Sequence, residues 1–186
     1  MKVEIEIPEE KEAKWINGVL TLVDEKPKDI TDRIKTFTDA CSALGDNYPL
    51  VSQYYRAVAA FKYEPMTEDL LAYLKLRIIC KALNEGWRPA FTEDECRYYP
   101  WFRINTPEEY KELSTSEKKE CCVFFQSGNN ECSGSIVYVN SYYAGSVSSG
   151  YNGGSNWLAL KTKELAEYCG KQFIDIWKDY LLIKKD

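Results

Sequence analysis

Asn84-Glu85-Gly86-Trp87-Arg88-Pro89, an acidic loop, then Arg97-Tyr98-Tyr99-Pro100-Trp101-Phe102: across this stretch the chain changes its period. Upstream, Leu71, Leu74, Ile78, Ile79, Ala82 and Leu83 fall at offsets 0, 3, 7, 8, 11 and 12, which places them on one face of a helix. Thr67 caps that helix and Gly86 ends it. Downstream, Trp87-Arg88-Pro89 turns the chain, Glu93-Asp94-Glu95 is a solvated loop, and Arg97 to Ile104 reads as a strand. Pro100 cannot donate to a ladder, so the strand belongs at an edge or a bulge. A helical half running into a strand-rich half predicts an α+β domain, with the N-terminal helices packed on an antiparallel sheet.

Working back from there, Pro49 opens a helix carrying Val51, Tyr54, Tyr55 and Val58 at helical spacing, and Pro65 closes it. Before it, Thr36 caps a short helix with Asp39 at its positive end, stopped by Gly45. Residues 26–35, charged and containing Pro27, read as a linker between this domain (36–186) and an N-terminal β-hairpin (1–25). Asn17-Gly18 supplies the two positive φ angles of a type I′ turn, which sets Trp15 opposite Leu20 and Ala13 opposite Leu22. A lone hairpin is marginal, so this one is expected to dock on something.

Working forward, Thr106-Pro107-Glu108-Glu109 starts a short polar helix. Cys121 to Gln126 and Ser135 to Tyr143 read as strands with a turn at Ser127–Asn130. Residues 144–155, rich in Gly, Ser and Asn, form a long loop, and Trp157 to Leu160 a last short strand. Thr162 caps one long C-terminal helix, expected to lie across the sheet, with Leu165, Tyr168, Cys169, Phe173, Ile176, Trp177 and Tyr180 on one stripe. Gly170 within it costs about 1 kcal/mol relative to alanine, which close approach of another backbone would justify.

The totals narrow the function. The 186 residues fit one domain with an appended hairpin, and 45% hydrophobic with 28% charged residues is ordinary for a soluble protein. No long apolar run predicts a membrane span, and the acidic start does not resemble a signal peptide. The net charge of −5 comes without a basic stripe, so no nucleic-acid partner is expected. With no histidine, Ser-His and Cys-His nucleophiles and histidine-containing zinc sites are excluded. The seven cysteines show no Cys-x-x-Cys pair and read as reduced, mostly buried thiols.

Four constellations remain. Aromatic residues flank the period change and the glycine-rich loop, and such rings either pack a core or stack a ligand. Gly150 to Ser155 precedes a strand and lacks the Lys-Ser/Thr pair of a phosphate loop, so it reads as a flexible turn able to close over a ligand. Adjacent Cys121 and Cys122 point to opposite strand faces and cannot chelate together. Glu85, Glu93, Asp94 and Glu95 lie near tryptophans, and a carboxylate hydrolase is the weakest reading of them. The candidate ligand-binding residues are Trp87, Arg88, Arg97, Tyr99, Trp101, Tyr143, Tyr151, Trp157 and Lys161. No catalytic residue, metal or cofactor is expected.

Ala82 to Pro89, followed by Tyr98-Tyr99-Pro100-Trp101-Phe102, resembles an uncharacterised family encoded by phages and prophages of gut anaerobes. The same resemblance takes in Gly154-Ser155, Leu158 to Thr162, Glu164 to Phe173, and Thr36 to Gly45. The hairpin is similar to one found ahead of unrelated domains in such genomes. Where the family is expected to carry an arginine before its last strand, this chain has Asn156-Trp157. The resemblance implies a viral accessory protein acting in the cytoplasm of a bacterial host, and it transfers no catalytic residue. The expected partner is a small, nucleotide-like molecule or a host protein; a homo-oligomeric or virion-associated assembly role is the rival.

Overall fold

A two-residue turn decides the N-terminal unit. In the computed structural model Asn17 has φ 51° and Gly18 φ 80°, the type I′ geometry that suits the right-handed twist of two strands. They join β1 (Lys11–Ile16) to β2 (Val19–Asp24), with Trp15 opposite Leu20 and Ala13 opposite Leu22, the register expected from Asn-Gly. Part of the expected linker is helical: α1 (Ile30–Arg33) starts where Asp29 accepts the Thr31 amide and hydroxyl at 2.8 and 2.7 Å.

The structure describes residues 6–8, 11–24, 29–60, 67–90, 92, 95–125, 132–144 and 156–182, and the backbone alone at 24, 132, 140–144 and 156. Residues 1–33 and 34–186 are separate compact units. Expectations for Pro65, Glu93, Asp94, the 127–130 turn and the 145–155 loop lie outside the described residues.

In the larger unit four helices begin where a Thr or Ser side chain takes up an orphan amide. Thr36 and Asp39 cap each other reciprocally ahead of α2 (Phe37–Leu44), and Gly45 ends it at φ 89°. Then come α3 (Pro49–Ala60) and α4 (Glu68–Leu83), the latter preceded by Thr67, whose side chain makes no capping bond, contrary to the expectation. Leu76, Ile78, Ile79, Cys80, Ala82 and Leu83 of α4 are buried. Helix α4 is the hub: α2, α3 and α8 (Ile174–Leu181) all meet it. It ends as Glu85 and Gly86 turn through positive φ, 46° and 94°.

Strand β3 (Arg97–Asn105) is an edge strand with a bulge between Trp101 and Phe102, as Pro100 required. Reciprocal caps Thr106/Glu109 and Ser114/Glu117 start α5 (Pro107–Glu112) and α6 (Thr115–Glu120). The second of these helices is absent from the sequence reading. The antiparallel sheet is completed by β4 (Cys122–Phe125) and β5 (Cys132–Ala144) in the order β3-β5-β4. The fold is therefore α+β, with two small antiparallel sheets and a C-terminal helical segment.

That last segment is two helices rather than one. Thr162 caps α7 (Lys163–Gln172), the chain breaks at Phe173 (φ −114°, ψ 29°), and α8 follows. The apolar stripe survives the break, since Leu165, Cys169, Phe173 and Trp177 are all buried. Gly170 explains how α7 meets the sheet. A Cβ there would stand 2.6 Å from Tyr138 Cδ2 and 2.9 Å from Pro100 Cβ, so the close approach is by side chains and not by backbone. Trp157 to Leu160 is not a strand. Asn156–Leu158 is a 3-10 turn and only Leu160 bridges to Tyr98.

Candidate functional site

The end of α4 and the segment 156–161 are tied together by one buried amide. Asn84, 5% exposed, donates from Nδ2 to the Ala159 carbonyl at 2.8 Å and accepts the Lys161 amide on Oδ1 at 3.0 Å. The Cys80 thiol donates to the Leu158 carbonyl at 3.6 Å, and Leu160 exchanges backbone hydrogen bonds with Tyr98 at 3.0 and 2.9 Å. A segment without a ladder of its own is thus fixed at four successive residues.

This anchoring decides where the predicted side chains go. Tyr99, 7% exposed, packs on Ala159 with Trp87 half-buried beside it, so these two rings are largely core. Burial pushes the Tyr99 hydroxyl above its usual range, while the buried Arg97 pulls it the other way. Trp101 is 45% exposed further along β3. Tyr143 lies opposite Tyr98 in the β3–β5 register, its side chain undescribed, and Tyr151 lies outside the described residues.

Trp157 is the outward-facing ring, at 68% exposure. The Arg77 guanidinium lies 4.7 Å from its centroid and 5.7 Å from that of Tyr73 one turn earlier on α4. The stack continues inward through Tyr73–Tyr180 (5.7 Å), Tyr180–Trp177 (6.1 Å) and Trp177–Phe102 (5.3 Å). The surface indole is the end of a ladder of rings rooted in the core, which restrains it at little entropic cost.

Further cations lie along α4 and past its end. Arg77 and Lys81 are a turn apart on α4, and Lys161 Nζ lies 3.5 Å from Glu85. Lys81 is held below its usual pKa, chiefly by partial burial and then by the nearby positive charge of Arg88. The C-terminal end of a helix favours such cations. Glu95 is engaged elsewhere, accepting the Ala90 amide on both oxygens at 2.9 Å.

Of the nine predicted residues, the structure gathers Trp87 with Tyr99, sets Trp157 against Arg77 on α4, and places Lys161 beside Asn84 and Glu85 and Arg88 near Lys81. Sequence reasoning missed Arg77, Lys81 and Asn84. Arg77 and Lys81 carry a readable signal, being cations one turn apart at the end of an apolar helix.

The remaining constellations separate. The half-buried Cys122 thiol donates to Asp175 Oδ1 at 2.9 Å, and burial followed by that bond raises its pKa to about 11. Among the described residues no three or more Cys, Asp or Glu gather as a metal site, and no helix is long and apolar enough to cross a membrane. No family model, no curated protein and no solved structure matches the chain.

Proposed function

We propose that this is a binding protein rather than a catalyst, and that it takes a small ring-bearing anion of nucleotide-like chemistry at the end of α4. The observation that carries this reading is the exposed Trp157 indole stacked on the Arg77 guanidinium. A ring of the ligand stacks on the indole, a contact worth about 1–3 kcal/mol in base–aromatic stacking. Its phosphate or carboxylate meets Lys81, Arg88 and Lys161, with Glu85 as the group that Lys161 exchanges for the ligand. In this reading Trp87, Arg97 and Tyr99 support the site from the core. Helices α7 and α8, which meet both α4 and the sheet, brace the site in the same reading. On the family resemblance, the ligand is a host nucleotide or signal in a bacterial cytoplasm.

Thermal denaturation in the presence of nucleosides, nucleotides and inorganic phosphate tests it. A nucleotide at a hundredfold excess over Kd contributes about 2.7 kcal/mol, or roughly 5–10 °C for a chain of this size. Nucleoside or phosphate alone gives less. No shift with any of them contradicts the reading.

An assembly role is the second reading. It rests on a different observation, the apolar surface of the hairpin.

A further inference from the structure

Residues Val19-Leu20-Thr21-Leu22-Val23 of β2 read the same in both directions about Thr21. Among the described residues the hairpin leaves its apolar side chains open: Trp15 is 74% exposed, and Ile16, Val19, Leu20 and Leu22 are exposed with it. A two-stranded sheet of this kind is marginal in water, and three or more strands are needed for independent stability.

The two edges differ. Strand β1 carries Lys11, Glu12 and Lys14, the charges that guard an edge against further pairing. Strand β2 carries no charge between Val19 and Val23. Among the described residues, no backbone hydrogen bond leaves its outer edge.

The backbone phase fits self-pairing. Ile16 and Val19 flank the two-residue turn as a hydrogen-bonded pair, so the bonds alternate and Thr21 bonds inward to Lys14. The amides and carbonyls of Leu20 and Leu22 therefore point outward.

We infer that two copies of this chain join β2 to β2, antiparallel about a two-fold axis at Thr21, in one four-stranded sheet. A two-fold interface must be self-complementary, and the palindrome makes it so. Leu20 bonds to Leu22 of the second copy, Thr21 faces its own counterpart, and Val19 faces Val23. Trp15, Leu20 and Leu22 lie on one face of the hairpin, so the joined sheet carries one continuous apolar face. The charged β1 strands become its outer edges and stop growth at two copies. This inference is independent of the ligand reading, because it uses only residues 11–24.

Sedimentation equilibrium of the full chain, from micromolar to submillimolar concentration, gives a dimer on this account. Leu22→Pro deletes an outward amide while sparing the ladder inside the hairpin, and its expected mass is that of the monomer. Circular dichroism shows that the rest of the chain stays folded. Thr21→Cys places two thiols in a non-hydrogen-bonded pair about 4.5 Å apart at Cα, within disulfide reach. Diamide therefore links Thr21→Cys chains in pairs. Lys14→Cys, a strand removed on each side, links no more than the unmodified chain with its exposed Cys96. A monomer throughout the range overturns the inference. So does a dimer that persists in Leu22→Pro, or linking of Lys14→Cys equal to that of Thr21→Cys.

Discussion

Asn84 holds Lys161 from 77 residues away, accepting its amide at 3.0 Å while donating to Ala159 at 2.8 Å. Removing a buried hydrogen-bonding side chain strands the groups it satisfied, at about 1–3 kcal/mol each. Asn84→Ala is expected to lose about 2–4 kcal/mol in urea denaturation, on that basis. Asn84→Asp loses the donor and faces the Ala159 carbonyl with a carboxylate, so it falls in the same direction. A loss under 1 kcal/mol contradicts the clamp.

Gly170 sets the approach of α7 to the sheet. Helix propensity alone predicts that Gly170→Ala stabilises by about 1 kcal/mol. The added Cβ would stand 2.9 Å from Pro100 Cβ, which belongs to a rigid ring, and 2.6 Å from the Tyr138 ring. Overpacking of this kind costs about 1–3 kcal/mol, so net destabilisation is expected. Tyr138→Ala in the same chain should relieve part of it, a non-additivity that a double-mutant cycle reads.

What was legible from sequence was local. Asn17-Gly18 carried the hairpin register, Thr106-Pro107 a helix start, and Pro100 the edge position, because each works through its own backbone. The helix at Thr115 was legible too, through Ser114 and Glu117 at capping-box spacing, and went unread. The strand expected at Trp157–Leu160 failed for a physical reason. Leu158, Ala159 and Leu160 are all buried, as a strand would be, but they are held by Asn84, Cys80 and Tyr98 rather than by a ladder. The break at Phe173 has no glycine or proline to announce it. The pairing of Arg77 with Trp157 spans 80 residues, and no spacing rule reaches that far.

Cysteine chemistry follows from burial and charge. Cys122, raised to about 11 by burial and its bond to Asp175, is about a thousandth thiolate at pH 8. Iodoacetamide should label the exposed Cys96 first and Cys122 late, as peptide mapping will show. Asp175→Asn removes the anion, lowers the Cys122 pKa and speeds its labelling. Equal rates before and after the substitution contradict this assignment.

Acid should loosen the caps. Hydrogen bonds from Thr36 hold Asp39 below the ordinary 3.8, and those from Ser114 hold Glu117 below the ordinary 4.5. A depressed carboxylate contributes stability that is present above its unfolded pKa and lost as pH falls through the folded one. Stability should therefore be flat in these groups down to about pH 5 and fall below pH 4. Asp39→Asn with Glu117→Gln should flatten that fall in acid-titrated denaturation curves.

In the proposed site Trp157 is the surface on which a ring-bearing anion stacks. The most direct measurement follows the indole N–H signals of the five tryptophans by NMR during nucleotide titration, with Trp157→Phe to identify the one that matters. The Trp157 signal is expected to move saturably while that of buried Trp177 stays near its place, and Arg77→Ala to weaken the response. Saturable binding that leaves the Trp157 signal where it was, or no movement of any indole at millimolar nucleotide, would contradict it.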